Sequence, residues 1–427
     1  MNQRARLGDQ ALETLPHDVQ CPSYDRADCA VGIVHIGVGH FHRAHQALVI
    51  DRLLTQGRAT DWAICGVALL PTDEGLARAL QQQSGLYTLV EKSATGEWDF
   101  RVIGSISEVL FGPDDPDAVL DRLSDPATRI VSLTITEGGY NIIPTTGDFD
   151  LANDDVRRDL ANDDTPVTVF GVVTEALRRR RAADVAPFTV LSCDNIQHNG
   201  DVARHAFSSF AAVRDAELGR WMRSEVAFPN SMVDRITPGT TDQDVASVSR
   251  ELGIKDEWPV LCEPFFQWVI EEDFPAGRPE WEQAGVQMTS DVAPYEKMKL
   301  RLLNASHQGL AYFASLMGYE YVHDAARDPR IATFLRHYMD REATLTLDPV
   351  DGVDLDAYKT ELIERFANPE VKDTVARLAA ETSDRIPKWL LPVIRGRLLE
   401  DGDIRCSAAI VASWARYAEA VGEDGQP

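Results

Sequence analysis

The stretch Val31-Gly-Ile-Val-His-Ile36-Gly37-Val38-Gly39-His40-Phe41-His42-Arg43-Ala44-His45 decides the fold. Four of its first six residues, Val31, Ile33, Val34 and Ile36, are β-branched and apolar, and Gly37 ends the run. That is how a short strand buried on both faces reads. A helical pattern follows from about Phe41 to Leu54, with Ala44, Ala47, Leu48 and Leu53 apolar. Two glycines between a buried strand and a helix make a tight turn whose helix N–H groups can meet a pyrophosphate. Gly37 would permit the turn and Gly39 the close approach of the phosphate. The third glycine position of G-x-G-x-x-G holds His42. A plain strand-to-helix turn is therefore the alternative.

Further strands are expected at Trp62–Leu69, Leu86–Leu89, Phe100–Ile106, Arg129–Thr136 and Phe188–Cys193. Helices are expected from Asp73 to Gln83 and from a Thr165 cap with Pro166 at the first position towards Arg180. Strands alternating with helices predict a parallel sheet, here an α/β, Rossmann-type doubly wound domain that binds NAD. Gly37, Val38, Gly39, His40, Phe41 and Arg43 are the expected cofactor contacts. Asp73, beyond the second strand, is placed to read a ribose 2′-hydroxyl, or else to cap the next helix. No Arg or Lys stands beside it, which favours NAD over NADP. After about residue 285 helical patterns dominate: Tyr295–Met317, Pro329–Tyr338, Leu355–Phe366, Val371–Thr382 and Lys388–Leu399. The expected division is a dinucleotide-binding domain over 1–285 and a mostly α-helical domain over 286–427.

The 427 residues carry 42 Lys+Arg against 68 Asp+Glu, a net charge of −26. Nucleic acid and anionic membrane surfaces would repel such a chain. Its one basic run, Arg178–Arg181, falls at a helix end, where cations complement the macrodipole. No apolar run reaches the ~18–20 residues of a membrane span. No apolar segment follows Met1-Asn-Gln-Arg-Ala-Arg6, so no signal peptide is expected. The six cysteines are scattered without a C-x-x-C, as in a reducing, cytoplasmic setting. His35, His40, His42 and His45 crowd together, but no Cys or carboxylate stands at zinc spacing, so no metal is expected.

A second signal lies on the helix from Tyr295. At about 100° per residue, Lys299, Asn304 and His307 fall near 0°, 140° and 80°, one face, with Arg301 turned away near 200°. A lysine serves as a base near neutrality once desolvated, and an amide and an imidazole can hold an oxygen whose charge changes. A solvated polar face is the alternative. Asn195, in Ser192-Cys-Asp-Asn-Ile-Gln-His-Asn-Gly200 after a buried strand, is placed to bond a substrate or cofactor, or to make a simple turn. Glu137, in Thr136-Glu-Gly-Gly139, ends another strand in the same way and could relay the proton of Lys299.

Residues 32–45 together with Met298-Lys-Leu-Arg-Leu-Leu-Asn-Ala-Ser-His307, Ser192–Gly200, Met232-Val-Asp-Arg-Ile-Thr-Pro238 and Cys262-Glu-Pro-Phe265 resemble the polyol-specific long-chain dehydrogenases. The resemblance runs from about residue 30 to the end. It implies metal-independent, NAD-dependent oxidation of a sugar alcohol at a secondary hydroxyl, D-mannitol to D-fructose foremost. Lys299 would be the general base, Asn195 and Asn304 the alkoxide site, and His307 the substrate-orienting residue. Glu137 would lie on the proton path, and Asp234, Arg377 and Arg385 would line the polyol site. It also implies a monomer. Arabinitol or sorbitol oxidation, fructuronate or tagaturonate reduction, and a non-catalytic NAD-binding regulator stay open. Family members continue past Trp414–Tyr417 with another helical stretch, so the end at Pro427 reads as shortened.

Overall fold

A computed structural model of the chain describes residues 4–161, 165–380 and 382–419. The backbone divides into two compact units. The first comprises Met1–Glu91, Asp99–Cys262 and Phe266–Val292, and the second Lys92–Trp98, Glu263–Phe265 and Ala293–Pro427.

The strands run β1 (Val31–Ile36), β2 (Ala63–Ala68), β3 (Tyr87–Lys92), β4 (Trp98–Ile103), β5 (Ile106–Phe111), β6 (Ile130–Leu133), β7 (Thr189–Ser192), β8 (Ser231–Asp234), β9 (Val260–Cys262), β10 (Gln267–Glu271) and β11 (Gln287–Thr289). Five of them form one sheet in the order β5-β2-β1-β6-β7, and every neighbouring pair is parallel. Two three-stranded sheets, β11-β10-β8 and β4-β3-β9, accompany it. Alternate residues of the parallel strands serve different faces. Ile33, Ile64, Ile130 and Leu191 join one apolar cluster with the helix Gln46–Thr55. Val34, Cys65, Val131 and Val190 join another with the helices Pro116–Ser124, Val169–Ala182 and Asn199–Arg214. Both faces are thus covered, which is why these strands read as continuous apolar runs. The strand order departs in opposite directions from β1, with β2 on one side and β6 on the other, and such a switch point opens a crevice at the carboxyl ends of the strands.

Several elements differ from expectation. The helix expected from Phe41 is broken at His45 (φ −124°, ψ −85°) into His40–Ala44 and Gln46–Thr55. The His45 imidazole is taken up by the Gln267 carbonyl at 3.0 Å. The strand expected over Phe100–Ile106 is two, separated at Gly104-Ser105, where the buried Asp51 carboxylate accepts the Gly104 N–H. The helix expected to open at Thr165-Pro166 begins at Val169. Asp159 accepts the amides of Val167 and Thr168, and Thr168 Oγ1 caps Gly171 N, so the cap shifts by three residues. The basic run is absorbed locally: Arg178 and Arg179 bond Glu175, Arg180 bonds backbone carbonyls, and Arg181 pairs with Glu217.

The second unit is helical, and its helix Leu355–Phe366 has the expected bounds. The long helix expected over Tyr295–Met317 is three pieces: Ala293–Lys299, a π-helical turn Leu300–Asn304, and Ala305–Leu316. The stretch expected over Val371–Thr382 keeps only Val375–Leu378, because Lys372 is left-handed (φ 51°) and Thr374 caps the start that follows. The stretch expected over Lys388–Leu399 divides into Thr382–Trp389 and Leu391–Leu399, with a proline in each near the junction. Among the described residues no helix is long and apolar enough to cross a membrane. The chain end read as shortened, residues 420–427, lies outside the described residues.

Candidate active site

In the first unit the glycine turn is held from behind by a buried histidine. Gly37 has φ 98°, and a Cβ there would stand 2.1 Å from the Thr134 carbonyl oxygen, so only glycine fits. A Cβ on Gly39 would meet nothing nearer than the Gly37 oxygen at 4.0 Å. That opening sits at the start of the helix His40–Ala44. His35 lies opposite Gly66 on β2 and Ser132 on β6. Its Nε2 is 3.1 Å from the Gly37 carbonyl and its Nδ1 2.8 Å from Ser132 Oγ. A carbonyl only accepts, so the Nε2–H tautomer fits, with Ser132 donating to Nδ1. Burial pushes the His35 pKa down to about 3. Its ring stacks on His42 at 3.3 Å, and burial and the neighbouring His35 hold His42 well below the usual range too.

The expected cofactor set separates here. Gly37, Gly39, His40 and Phe41 form the accessible side of the turn, whereas Val38 packs its side chain into the core against Gly66. Arg43 is a correction. It is fully buried, its guanidinium donates to the carbonyls of Gly39 and Trp258, and it lies 5.1 Å over the Tyr87 ring. A helix this short turns its fourth residue back onto the core. Asp73 closes a short turn, Pro71–Asp73, five residues after β2 and makes no capping hydrogen bond to the helix Glu74–Gln82. The capping alternative is therefore not what its side chain does.

The loops after β6 and β7 are tied together. Asp194 accepts the N–H of Ile135 at 3.1 Å, the N–H of Thr136 at 2.9 Å and the Tyr140 hydroxyl at 2.7 Å. The Asn199 amide donates to the carbonyls of Ser192, Asp194 and Ser231. These two residues went unassigned in the sequence, although both lie in the Ser192–Gly200 block. The signal was an Asp and an Asn flanking an exposed Asn195. Glu137 is likewise exposed, in the turn Glu137–Tyr140. Asp234 ends β8, buried, opposite Gln267. Arg235 beside it is a structural residue that bonds the Ala44 carbonyl and the Glu91 carboxylate.

In the second unit, Lys299 and Asn304 are each only 7% exposed and bracket the π turn. The Ala305 N–H reaches back five residues to the Leu300 carbonyl. The turn there is wider than an α-turn, which brings Asn304 nearer to alignment with Lys299 than α-helical spacing would. Asn304 Oδ1 has no hydrogen-bond partner among the described residues. Arg301 turns away to the Thr346 carbonyl. The His307 ring stands 4.2 Å from the Phe366 ring. The neighbouring Arg365 is locked in a buried two-pronged pair with Glu263 (3.0 and 2.8 Å) and stacks on Phe265 at 3.7 Å, which explains the Cys262–Phe265 block. Arg377 pairs with Asp373, which raises its pKa, and Arg385 donates to the Leu378 carbonyl. Among the described residues no group of three or more His, Cys, Asp or Glu could hold a metal.

Residues 31–283 match the mannitol dehydrogenase Rossmann domain and residues 291–427 the mannitol dehydrogenase C-terminal domain. The mannitol 2-dehydrogenase of Aspergillus fumigatus is 44% identical over 415 residues, which is 96% of this chain and 82% of that protein. The Pseudomonas fluorescens mannitol 2-dehydrogenase, solved as a ternary complex with NAD and D-mannitol, superposes with a TM-score of 0.91 at 46% identity, over 98% of this chain and 85% of that one. A D-sorbitol dehydrogenase solved in substrate-free form gives 0.93 at 42% identity, over 99% and 87%. With its alternating strands, glycine turn and lysine-bearing helix all inside the matched regions, the chain belongs to the mannitol dehydrogenase family.

Proposed function

We propose that this chain oxidises a sugar alcohol at a secondary hydroxyl with NAD, D-mannitol to D-fructose foremost. The observation that carries the reading is family membership at 44–46% identity to mannitol 2-dehydrogenases, with Lys299, Asn195 and Asp234 inside the matched regions. The glycine turn fits a dinucleotide: Gly39 leaves open the space that a side chain would fill. Gly37, Gly39, His40 and Phe41 would hold the pyrophosphate side and Asp73 the ribose diol, a carboxylate that disfavours a 2′-phosphate. When bound, NAD accepts the hydride of the carbinol carbon.

The chain's own residues handle the proton and the oxygen. Lys299, a buried amine, takes the hydroxyl proton. Asn195 and Asn304 hold the oxygen as it becomes an alkoxide and then a carbonyl, Asn304 orienting its amide so that the N–H bonds point at the oxygen. His307, braced by Phe366, orients the polyol, and Asp234, Arg377 and Arg385 bind its other hydroxyls. Glu137 passes the proton from Lys299 to solvent. No step in this scheme calls on a metal, and a monomer suffices for it.

Arg377 is already neutralised by Asp373, which suits a neutral polyol better than a uronate. Sorbitol is the second reading, favoured by the structural likeness to a D-sorbitol dehydrogenase, TM-score 0.93 at 42% identity. Steady-state kinetics with NAD on mannitol, sorbitol, arabinitol and mannonate decide among them. Mannitol is expected to have the highest kcat/KM. A mannonate advantage of ~10-fold, ~1.4 kcal/mol of transition-state binding, would overturn the polyol assignment.

A further inference from the structure

Thr136 carries a backbone outlier, φ 67° with ψ 165°. This region is populated almost only by glycine, because a Cβ there crowds the flanking carbonyls, and a β-branched residue is worse placed than most. Such a conformation persists only where its surroundings over-determine it. The chain after β6 supplies part of the hold through a turn in which Gly139 N donates to the Thr136 carbonyl at 3.0 Å. The rest comes from the neighbouring strand. Asp194, on the loop after β7, accepts the consecutive backbone amides of Ile135 and Thr136, and its Oδ2 also takes the Tyr140 hydroxyl. Tyr140 in turn lies 2.6 Å from Ser192 Oγ, so the knot closes on β7 itself.

We propose that Asp194 is a positioning residue whose carboxylate clamps the strained Thr136 loop to the loop after β7, so that Glu137 and Asn195, the residues next to each anchor, are presented in one fixed relation. Two amides and a phenol all donate, so the clamp needs two acceptor oxygens. An asparagine would turn an NH2 towards one of those donors. Burial, with Glu137 adding to it, pushes the Asp194 pKa up to about 6, while the three donated hydrogen bonds pull the other way, so the group is an anion at neutral pH. The inference rests on the roles proposed above for Glu137 and Asn195.

The test compares wild type, Asp194→Asn, Thr136→Gly and the double variant. In Asp194→Asn, mannitol oxidation is expected to lose about 10²-fold in kcat, the scale of a displaced catalytic group, with KM little changed. Glycine holds a positive φ without strain, so the double variant should regain at least about ten-fold of that loss. A wild-type kcat in Asp194→Asn, or a loss that Thr136→Gly does not relieve, overturns the clamp. Hydrogen exchange reads the clamp without catalysis. The Ile135 and Thr136 amides should exchange at least about ten-fold more slowly in wild type than in Asp194→Asn. Equal exchange in the two proteins overturns the clamp, whereas slow exchange in a wild type that oxidises no polyol upholds it and removes only the assigned activity.

Discussion

His35 and His42 lie face to face with ring centroids 3.3 Å apart, and among the described residues neither has a carboxylate partner to compensate a positive charge. Arg43 and His45 beside His42 add further positive or neutral groups. The glycine turn therefore hangs on a histidine that must stay neutral. In the unfolded chain His35 would protonate near its ordinary value of 6.5, while in the fold it waits until about 3. The unfolded state binds this proton first, so its contribution to stability is full above about 6.5 and is lost as pH falls towards 3. In His35→Gln that loss is absent. The stability of wild type relative to His35→Gln should thus fall by up to about 1.4 kcal/mol per pH unit between pH 6.5 and 5. Urea titrations of both proteins at three pH values check this, and a pH-independent difference would show that the ring is not held neutral.

At the scale of elements, the π turn Leu300–Asn304 does what a regular helix cannot. Regular α geometry would separate Lys299 and Asn304 by about 140° of rotation. A turn closed over five residues reduces that offset and keeps both in the buried face. Inserting one alanine after Leu300 adds about 100° of helical rotation to this segment and should swing Lys299 by that much relative to His307. Circular dichroism is expected to keep its helical content while turnover disappears. Turnover at the wild-type level would mean that the irregular turn has no part in placing the base. This turn was not legible beforehand, because periodicity arithmetic assumes a constant angle per residue. What depends on local pattern was legible: the bounds of β1 and of the helix Leu355–Phe366 follow from apolar spacing alone. What depends on a partner distant in sequence was not. The helix start at Val169 is decided by Asp159, the inward turn of Arg43 by Trp258, and the shape of the Thr136 loop by Asp194.

For the whole molecule, the charge of −26 first excluded nucleic acid and then bears on substrate. An anionic uronate would approach against that field, whereas a neutral polyol is indifferent to it. In the proposed scheme the two units divide the work. The first carries the glycine turn, Asp73, Glu137, Asn195 and Asp234, and the second carries Lys299, Asn304 and His307. Of the chain's proposed chemistry, the step that no other residue can replace is proton removal by Lys299. Lys299→Ala, compared with wild type by NAD titration and by single-turnover reduction of NAD with mannitol, tests this most directly. The account predicts unchanged NAD binding with hydride transfer slowed by about 10²–10⁴-fold, the usual cost of losing a general base. Hydride transfer at the wild-type rate in Lys299→Ala would contradict it.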